Sequence, residues 1–234
     1  MILLFDFDGT IHDTKHLYGC AFRKAYEMLV ENGMANERYY TDDEVSKYLG
    51  VSAPDMWNSF MPELPDEMKH SASMLIGKEM IDGVLNGQAV LYDGIIEVLS
   101  ELKSRGCRLM ILSNCRRSYM DAHRRASGLD RFFEDYFCAE EYGFIPKHEI
   151  FLHIKKKYPG CTFIMTGDRA SDIEVGRRNS LPAIGCLYGF AAPGELDQAD
   201  MLASSPADIP GCVTSVTSVT SVMLDPCSRR LINK

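Results

Sequence analysis

The stretch ILLFDFDGT (Ile2–Thr10) begins the chain with an apolar run that ends abruptly in two carboxylates and a glycine. A second stretch of the same kind, FIMTGDRASD (Phe163–Asp172), lies far downstream. Short apolar runs bounded by turn residues indicate buried strands. Carboxylates just after such strands would lie at the carboxyl edge of an open α/β sheet, where these sheets bind ligands. Two such clusters, brought together, would form a cation site of the oxygen-rich kind that Mg²⁺ prefers.

The composition indicates a globular protein of one large or two small domains. The chain has 234 residues, of which 46% are hydrophobic and 25% charged, and its formal net charge is −8. This acidic balance argues against nucleic acid as a partner, because phosphate backbones are bound by clustered Lys and Arg. A small anion can still bind where a metal and a few basic residues are placed locally.

The N-terminal residues do not have the pattern of a signal peptide, since no basic region precedes the apolar run and Asp6 interrupts it. No apolar stretch approaches the length of a membrane span. We therefore expect a cytoplasmic protein with no membrane partner. The eight cysteines form no C-x-x-C pair, and we expect them to be free thiols rather than disulfides or a zinc site.

Strand and helix patterns alternate along most of the chain, which indicates βαβ units and a parallel sheet. Strands are predicted near residues 2–7, 107–112, 136–139, 162–165 and 183–186, and helices near residues 94–104, 117–127, 148–157 and 171–179. Helical spacing without a persuasive strand pattern runs from Asp13 to Gln88. The sequence therefore predicts an α/β, Rossmann-like parallel-sheet core, residues 1–13 and 91–234, with an inserted α-helical cap domain, residues 14–90.

Polar residues and glycines at both ends of the insert, Asp13–Lys15 and Gly87–Tyr92, are the natural hinges of such a cap. The segment Val213–Val222 repeats V-T-S with a strict period of three residues. That period is compatible with a helix, a strand or a poorly ordered tail, and we assign it no function.

The acidic motifs fit the chemistry of phosphoryl transfer. Asp6 would be a nucleophile that attacks phosphorus and gives an aspartyl-phosphate. Asp8, two residues on, would protonate the leaving-group oxygen as a general acid and then activate water as a base. The two carboxyls need different protonation states, which different environments can supply.

The remaining candidate residues would hold the metal and the phosphate. We expect the metal to meet the Asp6 carboxylate, the Asp8 backbone carbonyl and the Asp168 carboxylate, with Asp172 reached through water. Catalysis of phosphoryl transfer is mostly positioning and charge stabilisation. Phosphate contacts are expected from four residues, which are Gly9, Ser113, Asn114 and Lys147.

This set of motifs resembles the haloacid dehalogenase-like hydrolase superfamily, in its phosphoglycolate-phosphatase-like branch with a helical cap. The matching motifs are D-F-D-G-T at Asp6–Thr10, S-N at Ser113–Asn114, the single Lys147, and G-D-R-A-S-D at Gly167–Asp172. The resemblance implies Mg²⁺-dependent hydrolysis of a small phosphorylated metabolite by a monomer or a homodimer. Phosphoglycolate, a sugar phosphate and a nucleoside monophosphate all remain open as substrates.

Two positions depart from the family pattern, because Cys115 follows S-N where many members carry Lys, and His148 follows Lys147 where they often carry Pro. A phosphomutase is one alternative, but the histidine that such relatives place four residues after Asp-Thr is Tyr18 in this chain, and His16 is out of register. A non-catalytic binding protein on the same fold is the other alternative.

Several further residues are expected to have structural roles. His12 and His16 are read as loop or substrate-contacting residues rather than metal ligands, since Mg²⁺ prefers oxygen. Arg169 is expected to pair with a nearby carboxylate. Residues expected in the core or on the surface of the cap are Trp57, Tyr39 and Tyr40.

Overall fold

The protein, seen as a computed structural model that describes residues 1–224, has eight strands and nine α-helices within those residues. The strands are β1 (Ile2–Phe5), β2 (His12–Asp13), β3 (Val90–Leu91), β4 (Arg108–Ser113), β5 (Phe133–Cys138), β6 (Phe163–Gly167), β7 (Ala183–Cys186) and β8 (Met201–Ala203). The helices are α1 (Lys15–Glu31), α2 (Asp42–Ser46), α3 (Ala53–Phe60), α4 (Asp66–Leu85), α5 (Ile95–Ser104), α6 (Arg117–Ser127), α7 (Lys147–Lys157), α8 (Ala170–Asn179) and α9 (Ile209–Leu224).

Six parallel strands form the central sheet, in the order β5-β4-β1-β6-β7-β8. Strand β1 lies inside this sheet, and its four residues are fully buried. A parallel strand that is covered on both faces is apolar along its whole length, which explains the unbroken run ILLF. The chain continues from β1 to β4 on one side and later returns to β6 on the other. The carboxyl ends of these three strands therefore border the crevice where such sheets bind ligands, and the predicted α/β, Rossmann-like fold is confirmed.

Alternate residues of β1 pack against different helices. Leu3 and Phe5 belong to an apolar cluster that includes residues of α5, α6 and α9. Ile2 and Leu4 belong to a second cluster that includes residues of α7 and α8. Because helices cover both faces, the loops at the strand ends are held in place by buried packing on either side.

Helices α1 to α4, which we call the cap segment (residues 15–85), pack around an apolar cluster of their own. The ring of Phe22 has six aromatic neighbours with centroids within 6.5 Å, which are Tyr18, Tyr26, Tyr40, Tyr48, Trp57 and Phe60. Two short antiparallel strands join the cap segment to the sheet, with His12 opposite Leu91 and Asp13 opposite Val90. These strands were not predicted, because two residues are too few to show a period-two pattern.

The V-T-S repeat lies in helix α9, which extends as far as Leu224. Val213 and Val216 are buried in the cluster beneath the sheet, since a spacing of three keeps side chains near one face of a helix. Thr214 and Thr217 donate hydrogen bonds to the carbonyls of Pro210 and Val213, both at 2.9 Å. Both hydroxyl groups thus bond back to the helix backbone four residues earlier, a contact that threonine makes within helices.

Within residues 1–224, the seven cysteines are all free thiols, as expected, and Cys227 lies outside this range. Over the same residues, no helix has both the length and the hydropathy that a membrane span needs.

Phe22 should carry much of the stability of the cap segment. Its side chain is 1% exposed, so Phe22→Ala would leave a cavity inside the aromatic cluster. We expect the free energy of unfolding, measured by urea denaturation, to fall by about 3–5 kcal/mol. Tyr39→Ala removes a ring that is 72% exposed and should cost less than about 1 kcal/mol. Equal losses in the two variants would contradict this assignment.

Candidate active site

The carboxyl ends of β1, β4 and β6 bring the predicted residues to one edge of the sheet. Phe5 is in register with Ile111 of β4 and with Thr166 of β6, so Asp6 emerges level with the residues that directly precede Ser113 and Asp168. Asp168 is fully buried, and Asp6 nearly so. Oxygen atoms of Asp6, Asp168 and Asp172 all lie within 4.8 Å of one another. The two motifs that are far apart in sequence thus form one buried acidic cluster.

Lys147 is the cation of this cluster. It is the first residue of α7, and its Nζ lies 2.8 Å from Asp6 Oδ1 and 2.7 Å from Asp172 Oδ1. Burial alone would lower the pKa of the Lys147 ammonium, but the charges of Asp172 and Asp6 outweigh burial and raise it above its usual value. The amine is therefore charged at neutral pH and fixes the positions of two carboxylates.

One lysine does not balance three buried carboxylates. Burial, followed by the charges of Asp172 and Asp168, raises the pKa of Asp6 well above its usual value, although Lys147 opposes this. Burial and the charge of Asp172 also raise the pKa of Asp168 to about 7. A cluster of hard oxygen ligands with an excess of buried negative charge suits a divalent cation such as Mg²⁺. The donor set therefore fits the metal that the sequence suggests.

Two glycines let the chain close tightly around Asp168. A Cβ atom on Gly9 would lie 2.1 Å from Asp168 Oδ2, and one on Gly189 would lie 2.4 Å from Asp168 Cβ. Gly9 also has a φ of 86°, which side-chain-bearing residues rarely adopt. Thr10 Oγ1 and the Phe190 N–H donate hydrogen bonds to the Asp168 carboxylate at 3.2 and 2.8 Å. In the structure, then, the group that approaches Gly9 is a carboxylate, and the expected phosphate contact of Gly9 stays a prediction.

Asp8 has a different environment from Asp6. Its Oδ1 accepts hydrogen bonds from Thr14 Oγ1 at 2.6 Å and Tyr119 Oη at 2.9 Å, and lies 3.2 Å from His12 Nδ1. Burial alone would raise the pKa of Asp8, but the contacts with His12 and Thr14 outweigh burial and lower it. The two carboxyls of D-F-D therefore differ in protonation behaviour, but without a bound cation the two pKa shifts run opposite to the proposed roles, since a nucleophile acts as the carboxylate and a general acid acts in its protonated form. Tyr119 was not predicted, because it comes from α6 and no local pattern links it to Asp8.

Asn114 and Arg169 connect the sheet edge to the cap segment. Asn114 Nδ2 donates to the Gly50 carbonyl at 3.2 Å, and the Arg169 guanidinium donates to the Leu49 carbonyl. Arg169 Nε also pairs with Glu195 Oε1 at 2.8 Å, the carboxylate partner that we expected. Both side chains thus hold the loop between α2 and α3 over the site.

Ser113 is the last residue of β4 and is buried at the same edge. Its Oγ accepts a hydrogen bond from the Cys115 N–H at 3.3 Å. The hydroxyl proton remains free to be donated, which is the property that a phosphate contact would use.

A cavity of about 430 Å³ lies between this edge and the cap segment. Asp6, Asp8, Ser113 and Asn114 border it from the sheet side, and residues of α3 and α4 border it from the cap side. The arrangement places the two carboxylates of D-F-D, Asp6 and Asp8, at the wall of one small-molecule site.

Known proteins are similar to this chain over most of its length. A family model described as haloacid dehalogenase-like hydrolase matches residues 3–186. The chain is similar to the pyrophosphatase PpaX of Listeria monocytogenes, with 24% identity over 199 residues that cover 84% of this chain and 87% of that protein. It is also similar to a phosphoglycolate phosphatase of Colwellia psychrerythraea, with 23% identity over 206 residues, 84% of this chain and 88% of that one.

A solved structure shares the fold. The crystal structure of a predicted phosphatase from Clostridium acetobutylicum superposes with a TM-score of 0.77 at 20% identity, covering 92% of this chain and 98% of that one. The matched family model includes both acidic motifs, Ser113 and Lys147. The chain therefore belongs to the haloacid dehalogenase-like hydrolases.

Proposed function

We propose that the protein hydrolyses a small phosphate monoester, with Mg²⁺ and through an aspartyl-phosphate on Asp6. The observation that carries this proposal is the cluster of Asp6, Asp168 and Asp172, in which the Nζ of Lys147 contacts Asp6 and Asp172. A scaffold role would not require so much buried charge at one sheet edge. The names of the two similar proteins, a pyrophosphatase and a phosphoglycolate phosphatase, support a substrate that contains phosphate.

The chain's own residues supply nucleophile, acid and positioning. A carboxylate oxygen of Asp6 attacks phosphorus, and the bond from phosphorus to the leaving-group oxygen breaks. Asp8 must enter this step in its protonated form; it gives that proton to the leaving-group oxygen, and the resulting carboxylate takes a proton from the water that attacks the aspartyl-phosphate. Lys147 holds Asp6 in place and offsets the negative charge of the transferring phosphoryl group, while Ser113 donates its hydroxyl to a phosphoryl oxygen.

The carboxylates of Asp6, Asp168 and Asp172 and the backbone carbonyl of Asp8 would hold the metal. When bound, Mg²⁺ supplies neutralisation of phosphoryl charge and keeps the carboxylates ionised. Hydrogen bonds from Thr10 and Phe190 orient Asp168 for this role.

The structure gives no support to the phosphomutase alternative. The side chain of His16 is 78% exposed, and its Nδ1 lies 2.9 Å from Asp42 at the protein surface. Tyr18, at the position where such relatives carry histidine, is a buried side chain of the cap cluster. Neither residue offers a histidine to the cavity.

Removing the nucleophile should abolish turnover. We expect wild-type protein to release phosphate from a panel of monoesters with Mg²⁺ and not with EDTA. Asp6→Asn keeps the shape of the side chain but should lower kcat/KM by at least about a thousandfold. Circular dichroism would show that the variant is folded. Undiminished turnover in Asp6→Asn, or turnover that is indifferent to metal, would contradict the proposal.

Asp168 should destabilise the metal-free protein above neutral pH. Because its pKa is raised to about 7, its contribution to stability is full below the ordinary pKa of an aspartate and is lost as the pH rises through about 7. In EDTA, Asp168→Asn should therefore be more stable than wild type by about 1–3 kcal/mol at pH 8, with little difference at pH 4, where the carboxyl is protonated in the folded state and largely so in the unfolded state.

Thermal unfolding in EDTA at both pH values would measure this difference. Asp66→Asn, at a fully exposed position in the first turn of α4, is the matched control and should stay within about 0.5 kcal/mol of wild type at both pH values. A loss of stability in Asp168→Asn at pH 8 would show that the carboxylate is not under electrostatic strain.

A further inference from the structure

We propose that the leaving group of the substrate is apolar, an alkyl or aryl alcohol without a second anionic group, and that the cap segment binds it. This inference rests on the proposed phosphatase function and adds the substrate class. The cavity of about 430 Å³ is large enough for such a group. Its wall on the side of the cap segment includes aliphatic and thioether side chains of the loop before α3 and of α3 and α4, namely Val51, Pro54, Met56, Ile76, Met80 and Ile81.

The two serine hydroxyls of the cap segment at the cavity have partners within the protein, and the other cap hydroxyls there belong to the aromatic side chains of Tyr18 and Tyr48. Ser73 Oγ accepts from Trp57 Nε1 and donates to the Lys69 carbonyl, both at 2.7 Å. Ser52 Oγ donates to Asp55 Oδ2 at 2.6 Å. These groups are engaged in capping α3 and bracing α4, so they offer little to a polyhydroxylated leaving group such as a sugar.

The positive charges of the cap segment lie away from the cavity. Arg23 pairs with Asp42 at 2.7 Å, and Lys78 pairs with Asp82 at 2.8 Å. Lys47 Nζ lies 4.9 Å from the centroid of the Tyr48 ring. No lysine or arginine of the cap segment borders the cavity in the described part of the chain.

Arg116 is the one lysine or arginine among the described residues that border the cavity. It comes from the sheet side, where its Nη1 lies 3.8 Å from Glu140 Oε1 and 3.5 Å from Met74 Sδ. A second carboxylate or phosphate on the substrate would therefore enter an apolar space in which the nearest cation already has an acidic partner. Burial of an uncompensated charge is strongly unfavourable, and this excludes glycolate-like and pyrophosphate-like leaving groups as good substrates.

The absence of a side chain at Gly77 also supports an apolar leaving group that extends into the cavity. It lies in the interior of α4 and borders the cavity. A Cβ atom at this position would meet nothing within 4 Å, apart from its own helix backbone and neighbours. Glycine lowers helix stability relative to alanine, so no packing constraint explains its presence here. We infer that Gly77 keeps space for the far end of the leaving group.

The test is a series of n-alkyl monophosphates, ethyl, butyl and hexyl, assayed with Mg²⁺. Their leaving groups have closely similar reactivity, so the change in kcat/KM along the series reports binding of the chain. We expect kcat/KM to rise about two- to fourfold per methylene. The kcat/KM values for phosphoglycolate and pyrophosphate should be at least about tenfold lower than that for butyl phosphate.

Two variants make the test specific to the cavity. Gly77→Leu should lower the ratio of hexyl to ethyl phosphate turnover at least about tenfold. Met80→Lys should raise kcat/KM for phosphoglycolate, relative to kcat/KM for butyl phosphate, at least about tenfold, because it adds a cation to the apolar wall. Ser71→Leu, an exposed position of α4 outside the cavity, is the matched control and should leave both ratios unchanged. If Gly77→Leu does not fold, Met80→Lys still tests the proposal.

Equal kcat/KM values for the three alkyl phosphates, or faster turnover of phosphoglycolate than of butyl phosphate, would overturn the proposal of an apolar leaving group. Either result would leave the proposed phosphatase function unaffected. Failure of folded wild-type protein to hydrolyse any phosphate ester would overturn both.

Discussion

The structure depends on negative charge that is buried at the end of β1 and only partly neutralised. Asp6, Asp168 and Asp172 share one pocket of the sheet edge, and a single ammonium, that of Lys147, lies between two of them. Such an arrangement costs stability unless a further cation enters. The cost is tolerated because the strands beneath it are packed on both faces and cannot rearrange to separate the carboxylates. The excess negative charge suits a cation, and the packing fixes the position of the Asp6 carboxylate, which we propose as the nucleophile.

The same strand ends also control the cap segment. Asn114 follows β4 and Arg169 follows β6, and both donate to carbonyls of the loop between α2 and α3. The residues that we propose for catalysis and those that contact the cap segment are therefore neighbours in the chain: Ser113 beside Asn114, and Asp168 beside Arg169. A cap that closes on these donors would exclude water from the aspartyl-phosphate step and bring the apolar wall to the leaving group.

Residues that directly follow a strand could be placed from the sequence, because the pattern that marks them is local. The carboxylates of D-F-D-G-T and G-D-R-A-S-D follow apolar strands directly, so the topology alone brings them together. Lys147 could be assigned only through the family pattern, because nothing local shows that its Nζ reaches Asp6. The hydrogen bond of Tyr119 to Asp8 joins residues 111 positions apart and leaves no local pattern. Strand β8 (Met201–Ala203) was missed because three residues carry too little periodicity. Strand β5 begins at Phe133, earlier than predicted, because two acidic residues, Glu134 and Asp135, interrupt the apolar pattern.

The division of labour between Asp6 and Asp8 can be tested most directly with Asp8→Asn and p-nitrophenyl phosphate. Nitrophenolate departs without protonation, so phosphorylation of Asp6 should proceed, whereas the second step would lack its base. We expect a stoichiometric burst of nitrophenolate followed by slow turnover. Borohydride reduction and mass spectrometry should then find homoserine at position 6. Absence of a burst, with Asp6 unmodified while wild-type protein hydrolyses the same ester, would contradict the aspartyl-phosphate mechanism.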